Sequence, residues 1–153
     1  MKRNKNIMLI EDDQKKIEDI KNFISQSFKD IQLITKESYQ SGLKELIRNH
    51  YELLLLDMSI PTWDKNTNHS GGDYQKFGGY RILKELSRKG KLLPTVLISM
   101  FDEFGESDRT ITLKQIDDLL KKEYPEKYIG AIFYSASQTE WKDNLKSILQ
   151  KAI

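Results

Sequence analysis

Three acidic side chains follow directly on apolar runs that lie far apart in the chain. Asn6-Ile7-Met8-Leu9-Ile10 leads into Glu11-Asp12-Asp13, and Leu53-Leu54-Leu55-Leu56 leads into Asp57. A strand buried on both faces has reason to end on carboxylates where its end opens into a polar crevice. Two such strands side by side would converge Glu11, Asp12 and Asp57 on one spot. That offers oxygen ligands to a hard divalent cation and a carboxylate able to act as a nucleophile. Three carboxylates at low dielectric repel one another, so a metal or phosphate chemistry accounts for the cluster better than chance does. The bland reading, an aspartate capping the next helix, suits Asp13 but explains neither Glu11 nor Asp57.

The elements that must position these acids alternate along the chain. Ile17, Ile20, Phe23, Ile24 and Phe28 recur at helical spacing after the first strand, with Asp12 or Asp13 available as N-cap. Ile31 to Ile34 reads as a short strand, and Tyr39, Leu43, Leu46 and Ile47 as an amphipathic helix. Tyr51 to Met58 reads as a buried strand. Pro61 to Gly79 has loop composition, with Asn66, Asn68, Ser70, Gly71, Gly72, Gly78 and Gly79. A helix follows from about Tyr80 to Gly90, then a strand over Leu92 to Ser99. Leu113, Ile116, Leu119, Leu120 and Tyr124 form a helical stripe stopped by Pro125, Tyr128 to Tyr134 a fifth strand, and Trp141, Leu145, Ile148 and Leu149 a closing helix. Such alternation predicts an α/β fold with a doubly wound five-stranded parallel sheet. In the flavodoxin-like order 2-1-3-4-5, ligands bind where the strand order reverses, between the first and third strands. Those are the strands that end in Glu11-Asp12 and Asp57.

The bulk numbers narrow the class. A chain of 153 residues, 38% hydrophobic and 31% charged, fits one domain over 1–153, and no linker to an output domain is visible. The formal net charge of +2 gives no electrostatic case for nucleic acid or a membrane surface. Without cysteine, disulfides, thiolate metal sites and cysteine nucleophiles are excluded. The apolar run after the basic start is too short for a signal peptide, and no later run reaches membrane-spanning length, so a cytoplasmic setting is expected. His50 and His69 lack partners at ligand spacing. The pairs Gly71-Gly72 and Gly78-Gly79 lack the spacing of a dinucleotide fingerprint. Trp63 and Trp141 read first as packing residues, Trp63 also as a contact residue in the long loop.

At this point the chain resembles the receiver domain of two-component response regulators. Ile7-Met8-Leu9-Ile10-Glu11-Asp12-Asp13 looks like that family's first strand with its acidic pair. Tyr51-Glu52-Leu53-Leu54-Leu55-Leu56-Asp57-Met58-Ser59-Ile60-Pro61 looks like its third strand, with a proline four residues after the aspartate. Leu93-Pro94-Thr95-Val96-Leu97-Ile98-Ser99-Met100 resembles its fourth strand, and Gly79 to Leu86 the start of its third helix. The resemblance implies a phosphoacceptor at Asp57, receiving a phosphoryl group from a histidine kinase or phosphotransfer protein. It implies Mg2+ held by Glu11, Asp12, Asp57 and the Ser59 carbonyl, and a phosphoryl hydrogen bond from Ser99. Tyr134 matches the switch aromatic, expected to move with Ser99 and alter the face of the fourth helix and fifth strand. A stand-alone receiver would act through a downstream protein partner, with the oligomeric state open, a homodimer included.

Two departures from the family pattern bear on this expectation. Gly130-Ala131-Ile132-Phe133-Tyr134-Ser135-Ala136-Ser137 places Ser137 where the family carries a lysine, and Lys142 is the nearby lysine that could reach inward. The Pro61 to Gly79 loop and the Phe101 to Lys127 region are longer than usual, the second expected to enlarge the fourth helix and its approach. A pseudo-receiver, binding partners independently of phosphorylation, is therefore the alternative. Asp57-Met58-Ser59 is also similar to the nucleophile segment of haloacid dehalogenase phosphatases, but Ser59 stands where their acid catalyst would be.

Overall fold

The computed structural model describes residues 4–64, 74–75, 77–106 and 109–153. Five strands form one parallel sheet: β1 (Lys5–Ile10), β2 (Ile31–Lys36), β3 (Leu53–Leu56), β4 (Thr95–Ser99) and β5 (Tyr128–Phe133). Their order is β2-β1-β3-β4-β5, the order expected from the alternation of apolar runs and helical stripes. Five helices connect and cover them: α1 (Gln14–Ser27), α2 (Tyr39–Arg48), α3 (Gly78–Arg88), α4 (Leu113–Glu123) and α5 (Glu140–Ala152).

Strand periodicity divides the core in two. Met8, Ile10, Leu54, Leu56 and Leu97 face α2, α3 and α4, where they meet Leu46, Ile82, Leu86, Ile116 and Leu120. Their alternate neighbours Ile7, Leu9, Leu53, Leu55, Val96, Ile98 and Ile132 face α1 and α5, meeting Ile20, Ile24, Trp141, Leu145 and Leu149. Both faces of the sheet are thus apolar, which is why its central strands read as unbroken aliphatic runs. Full burial of a leucine or isoleucine side chain contributes roughly 1.5–3 kcal/mol, so these two layers supply the main driving force for the fold.

Local signals set the helix ends. Asp13 caps α1 by accepting from the Lys16 N–H at 2.9 Å, and Ser38 caps α2 by accepting from the Ser41 N–H. Thr112 and Gln115 form a reciprocal capping box at the start of α4. Gly90, at φ 69°, turns the chain out of α3 in the left-handed region.

Two additions lie outside the central sheet. Ile60–Pro61 pairs antiparallel with Tyr74–Gln75, so the long loop leaves and re-enters through a short two-stranded ladder. Most of that loop, with Asn66, Asn68, His69, Ser70, Gly71 and Gly72, lies outside the described residues. The extra length after β4 is a correction to the expected enlarged helix. It forms an antiparallel hairpin of Glu103–Glu106 with Arg109–Thr112, and α4 itself is 11 residues long. Phe104 anchors the hairpin in the core at 4% exposure, edge-on to the exposed Phe101. No helix among the described residues is long and apolar enough to cross a membrane.

Candidate functional site

Register brings the acids together. Ile10 lies opposite Leu56 in the β1–β3 pairing, so the next residues, Glu11 and Asp57, leave adjacent strand ends. The Asp57 N–H donates to the Ile10 carbonyl at 3.2 Å, extending the pairing to the site itself. Glu11, Asp12 and Asp57 each present a carboxylate oxygen, and these oxygens lie within 4.8 Å of one another. Glu11 and Asp57 are each 1% exposed, and Asp12 is half-buried. An all-oxygen set of this kind fits a hard divalent cation such as Mg2+.

The site also contains a cation of its own. Lys16, on the first turn of α1, is fully buried, and its Nζ is in ion-pair contact with Glu11 Oε1. The same ammonium donates to the Ile98 carbonyl at 2.5 Å and lies 3.6 Å from Asp57 Oδ1. Its position follows from two periodicities. Lys16, Ile20 and Ile24 occupy one stripe of α1 at intervals of four, and that stripe faces the sheet. Glu11 continues the parity of Ile7 and Leu9, and Asp57 that of Leu53 and Leu55, the side chains that face α1.

Backbone donors hold the carboxylates in place. Glu11 Oε2 accepts from the N–H groups of Asp12 and Asp13 at 2.9 and 3.1 Å. Asp57 Oδ1 accepts from the Met58 N–H at 2.9 Å. Burial pushes the Glu11 carboxyl well above its usual range, with the Lys16 ammonium pulling the other way. Burial raises Asp57 too, against the lowering effects of Lys16 and the Met58 N–H. A buried acid pair of this kind needs a cation beside it to remain ionised.

The remaining expected residues fall in different places. Ser59 is 6% exposed, in the segment just after Asp57. Ser99 is fully buried at the end of β4. Its hydroxyl accepts from the Phe101 N–H at 3.0 Å and lies 3.1 Å from the Phe101 carbonyl. Tyr134 is 3% exposed and packs with the α1/α5 layer, against Trp141 at 5.2 Å between ring centroids. Its hydroxyl donates to Asp19 on α1. The ring thus lies across the sheet from α4. Ser137 is exposed and its hydroxyl pairs with that of Ser135 at 3.1 Å. Lys142 lies over the Trp141 ring, 5.7 Å from its centroid.

Sequence reasoning missed Lys16, although a signal was present. A lysine four residues before Ile20 and eight before Ile24 interrupts an otherwise apolar stripe, one turn from an acidic pair.

No protein-family model matches the chain. It is 28% identical to the uncharacterized protein y4jR of Sinorhizobium fredii over 92% of its length and 93% of that protein's. It is 22% identical to the Detocs response regulatory protein DtcB of Enterobacter cloacae, covering 91% of this chain and 94% of the other. Solved receiver domains of response regulators share its architecture from end to end. Among them is TrrA of Thermotoga maritima in complex with Mg2+ and BeF, with a TM-score of 0.61, 15% identity, and coverage of 97% of this chain and 99% of that one. The chain therefore has the CheY-like receiver fold, a flavodoxin-like five-stranded parallel sheet with five helices.

Proposed function

We propose that the chain is a response regulator receiver domain, accepting a phosphoryl group on Asp57 and passing the signal to a partner protein. The observation that carries this reading is the meeting of Glu11, Asp12 and Asp57 at the switch point of a receiver-type sheet. The name of the DtcB relative, a response regulatory protein, supports it. So does the presence of Mg2+ and BeF in the TrrA structure.

In this reading an Asp57 carboxylate oxygen attacks the phosphorus of a phosphohistidine. The new O–P bond forms as the P–N bond breaks, and the imidazole leaves with the P–N electron pair and takes up a proton. Glu11, Asp12, Asp57 and the Ser59 carbonyl would hold Mg2+, which supplies positive charge to the site when bound. The Met58 N–H orients Asp57, and the Asp12 and Asp13 N–H groups orient Glu11. The Ser99 hydroxyl would exchange its Phe101 contacts for a phosphoryl oxygen. That exchange would free the start of the hairpin leading to α4, a route from the site to the surface. Tyr134, held against α1 and α5, would carry any switch through that layer. The phosphodonor is a histidine kinase or phosphotransfer protein, the setting is cytoplasmic, and output passes through a protein partner, with residues 1–153 acting as a single receiver.

The test is incubation with acetyl phosphate or beryllofluoride in the presence of Mg2+. An adduct that Asp57→Ala abolishes is expected. No adduct at saturating donor would contradict the reading and favour a phosphorylation-independent binding module.

A further inference from the structure

Receiver-type chemistry places extra negative charge on Asp57, and the resemblance implies a lysine beyond β5 to meet it. Neither candidate from that part of the chain is at the acids: Ser137 pairs with Ser135 and Lys142 covers Trp141. The first residue after β5 is Tyr134, whose N–H donates to the Ser99 carbonyl at 2.7 Å. Its ring centroid is 5.9 Å from Lys16 Nζ. A tyrosine therefore fills the space between the end of β5 and the pocket, and the ammonium enters from α1.

We infer that Lys16 is the resident cation of the pocket: it neutralises Glu11 and Asp57 when no metal is bound, and pairs with the anionic group added to Asp57. The inference deepens the receiver reading and its second half rests on that reading; the first half does not.

Three observations carry it. Lys16 is fully buried yet in contact with Glu11 and 3.6 Å from Asp57 Oδ1, so its charge is spent inside the site. An apolar side chain of similar length would pack in the stripe shared with Ile20 and Ile24 without burying a charge, so it is the acids, not the packing, that call for a lysine there. The Ile98 carbonyl and the Tyr134 ring fix the ammonium from the β4 and β5 sides, leaving it aimed at the carboxylates.

The consequences have opposite signs, which separates this role from a merely structural one. An ammonium among the acids competes with a divalent cation, so its removal strengthens cation binding. The same ammonium attracts an anion on Asp57, so its removal weakens the adduct.

The test uses the full chain and Lys16→Met, which keeps a long unbranched stem, with Mn2+ affinity measured by calorimetry and beryllofluoride affinity measured at saturating Mg2+. Lys16→Met should bind Mn2+ about tenfold more tightly and beryllofluoride at least about tenfold more weakly than the wild type. Adding Tyr134→Lys to Lys16→Met should restore beryllofluoride binding, because it returns an ammonium from the end of β5; adding Ser137→Lys should not. Unchanged or weaker Mn2+ binding in a folded Lys16→Met variant would overturn the inference, as would wild-type beryllofluoride affinity. If Lys16→Met does not fold, Lys16→Gln replaces it with the same expected signs. If the wild type itself forms no adduct, the phosphoacceptor reading fails. Tighter Mn2+ binding by the variant would then still support Lys16 as the counter-ion.

Discussion

At the scale of single residues, the site sets three carboxylates against the Lys16 ammonium, among the described residues. Glu11 and Asp57 are buried deeply enough that burial alone would favour their neutral forms, and Lys16 opposes that. The acids were legible in the sequence because each ends an apolar run, which is an anomaly of position. Lys16 was not, because a lysine in an amphipathic helix normally belongs to the solvated face, and only the register of α1 on the sheet shows otherwise. The side of the sheet that Tyr134 faces was not legible for a related reason. Alternation along β5 puts Ile132 and Tyr134 together toward α1 and α5, and matching to a family motif carried no such parity. The Tyr134 hydroxyl holds the Asp19 carboxyl below its usual range, with Lys15 adding to the effect. A carboxyl depressed in the folded state adds stability above its unfolded pKa, and that contribution is lost as pH falls through the folded pKa. Tyr134→Phe should therefore cost about 1 kcal/mol near neutral pH. In urea titrations across the acid range, its deficit relative to wild type should shrink once Asp19 is protonated; a deficit independent of pH would exclude this linkage.

At the scale of elements, the strands and helices follow from alternation, helical stripes and caps, and the five-stranded pattern of the central sheet needed no information beyond them. The hairpin before α4 was not legible. Glu103–Glu106 and Arg109–Thr112 mix charged, small and apolar residues in short runs, too brief for a period to emerge, and the packing of Phe104 and Ile111 on the core explains their docking. Its end is sharply defined by the Thr112–Gln115 capping box, so Thr112→Ala should lower stability by about 1 kcal/mol, read as a lower thermal midpoint with α/β circular dichroism retained. The start of α3 bears directly on the pocket. A Cβ on Gly79 would sit 2.5 Å from the Asp57 carbonyl oxygen and 3.0 Å from Met58 Cα, and the Gly79 N–H already bonds the Met58 carbonyl. These are backbone atoms with little freedom to retreat. Gly79→Ala should displace the segment after β3, costing roughly 1–3 kcal/mol. It should also weaken Mn2+ binding, whereas unchanged affinity would show that the acids are positioned independently of α3.

At the scale of the whole molecule, two apolar layers clamp a parallel sheet whose carboxyl ends carry the acids, and the pairing of β1 with β3 determines where they meet. The same sheet joins the site to two surfaces. Ser99 connects Asp57's neighbourhood to the hairpin and α4, and Tyr134 connects it to α1 and α5. A receiver that carries its cation on α1 has coupled its charge balance to the layer where Tyr134 lies, so adduct formation should be felt there as well as at α4. All of this depends on Asp57 being the residue that takes up the phosphoryl group. Intact-mass measurement after incubation with acetyl phosphate and Mg2+ tests that claim most directly. The wild type should gain one phosphoryl group and Asp57→Ala none; no gain in the wild type, or an equal gain in the variant, would exclude Asp57 as the phosphoacceptor.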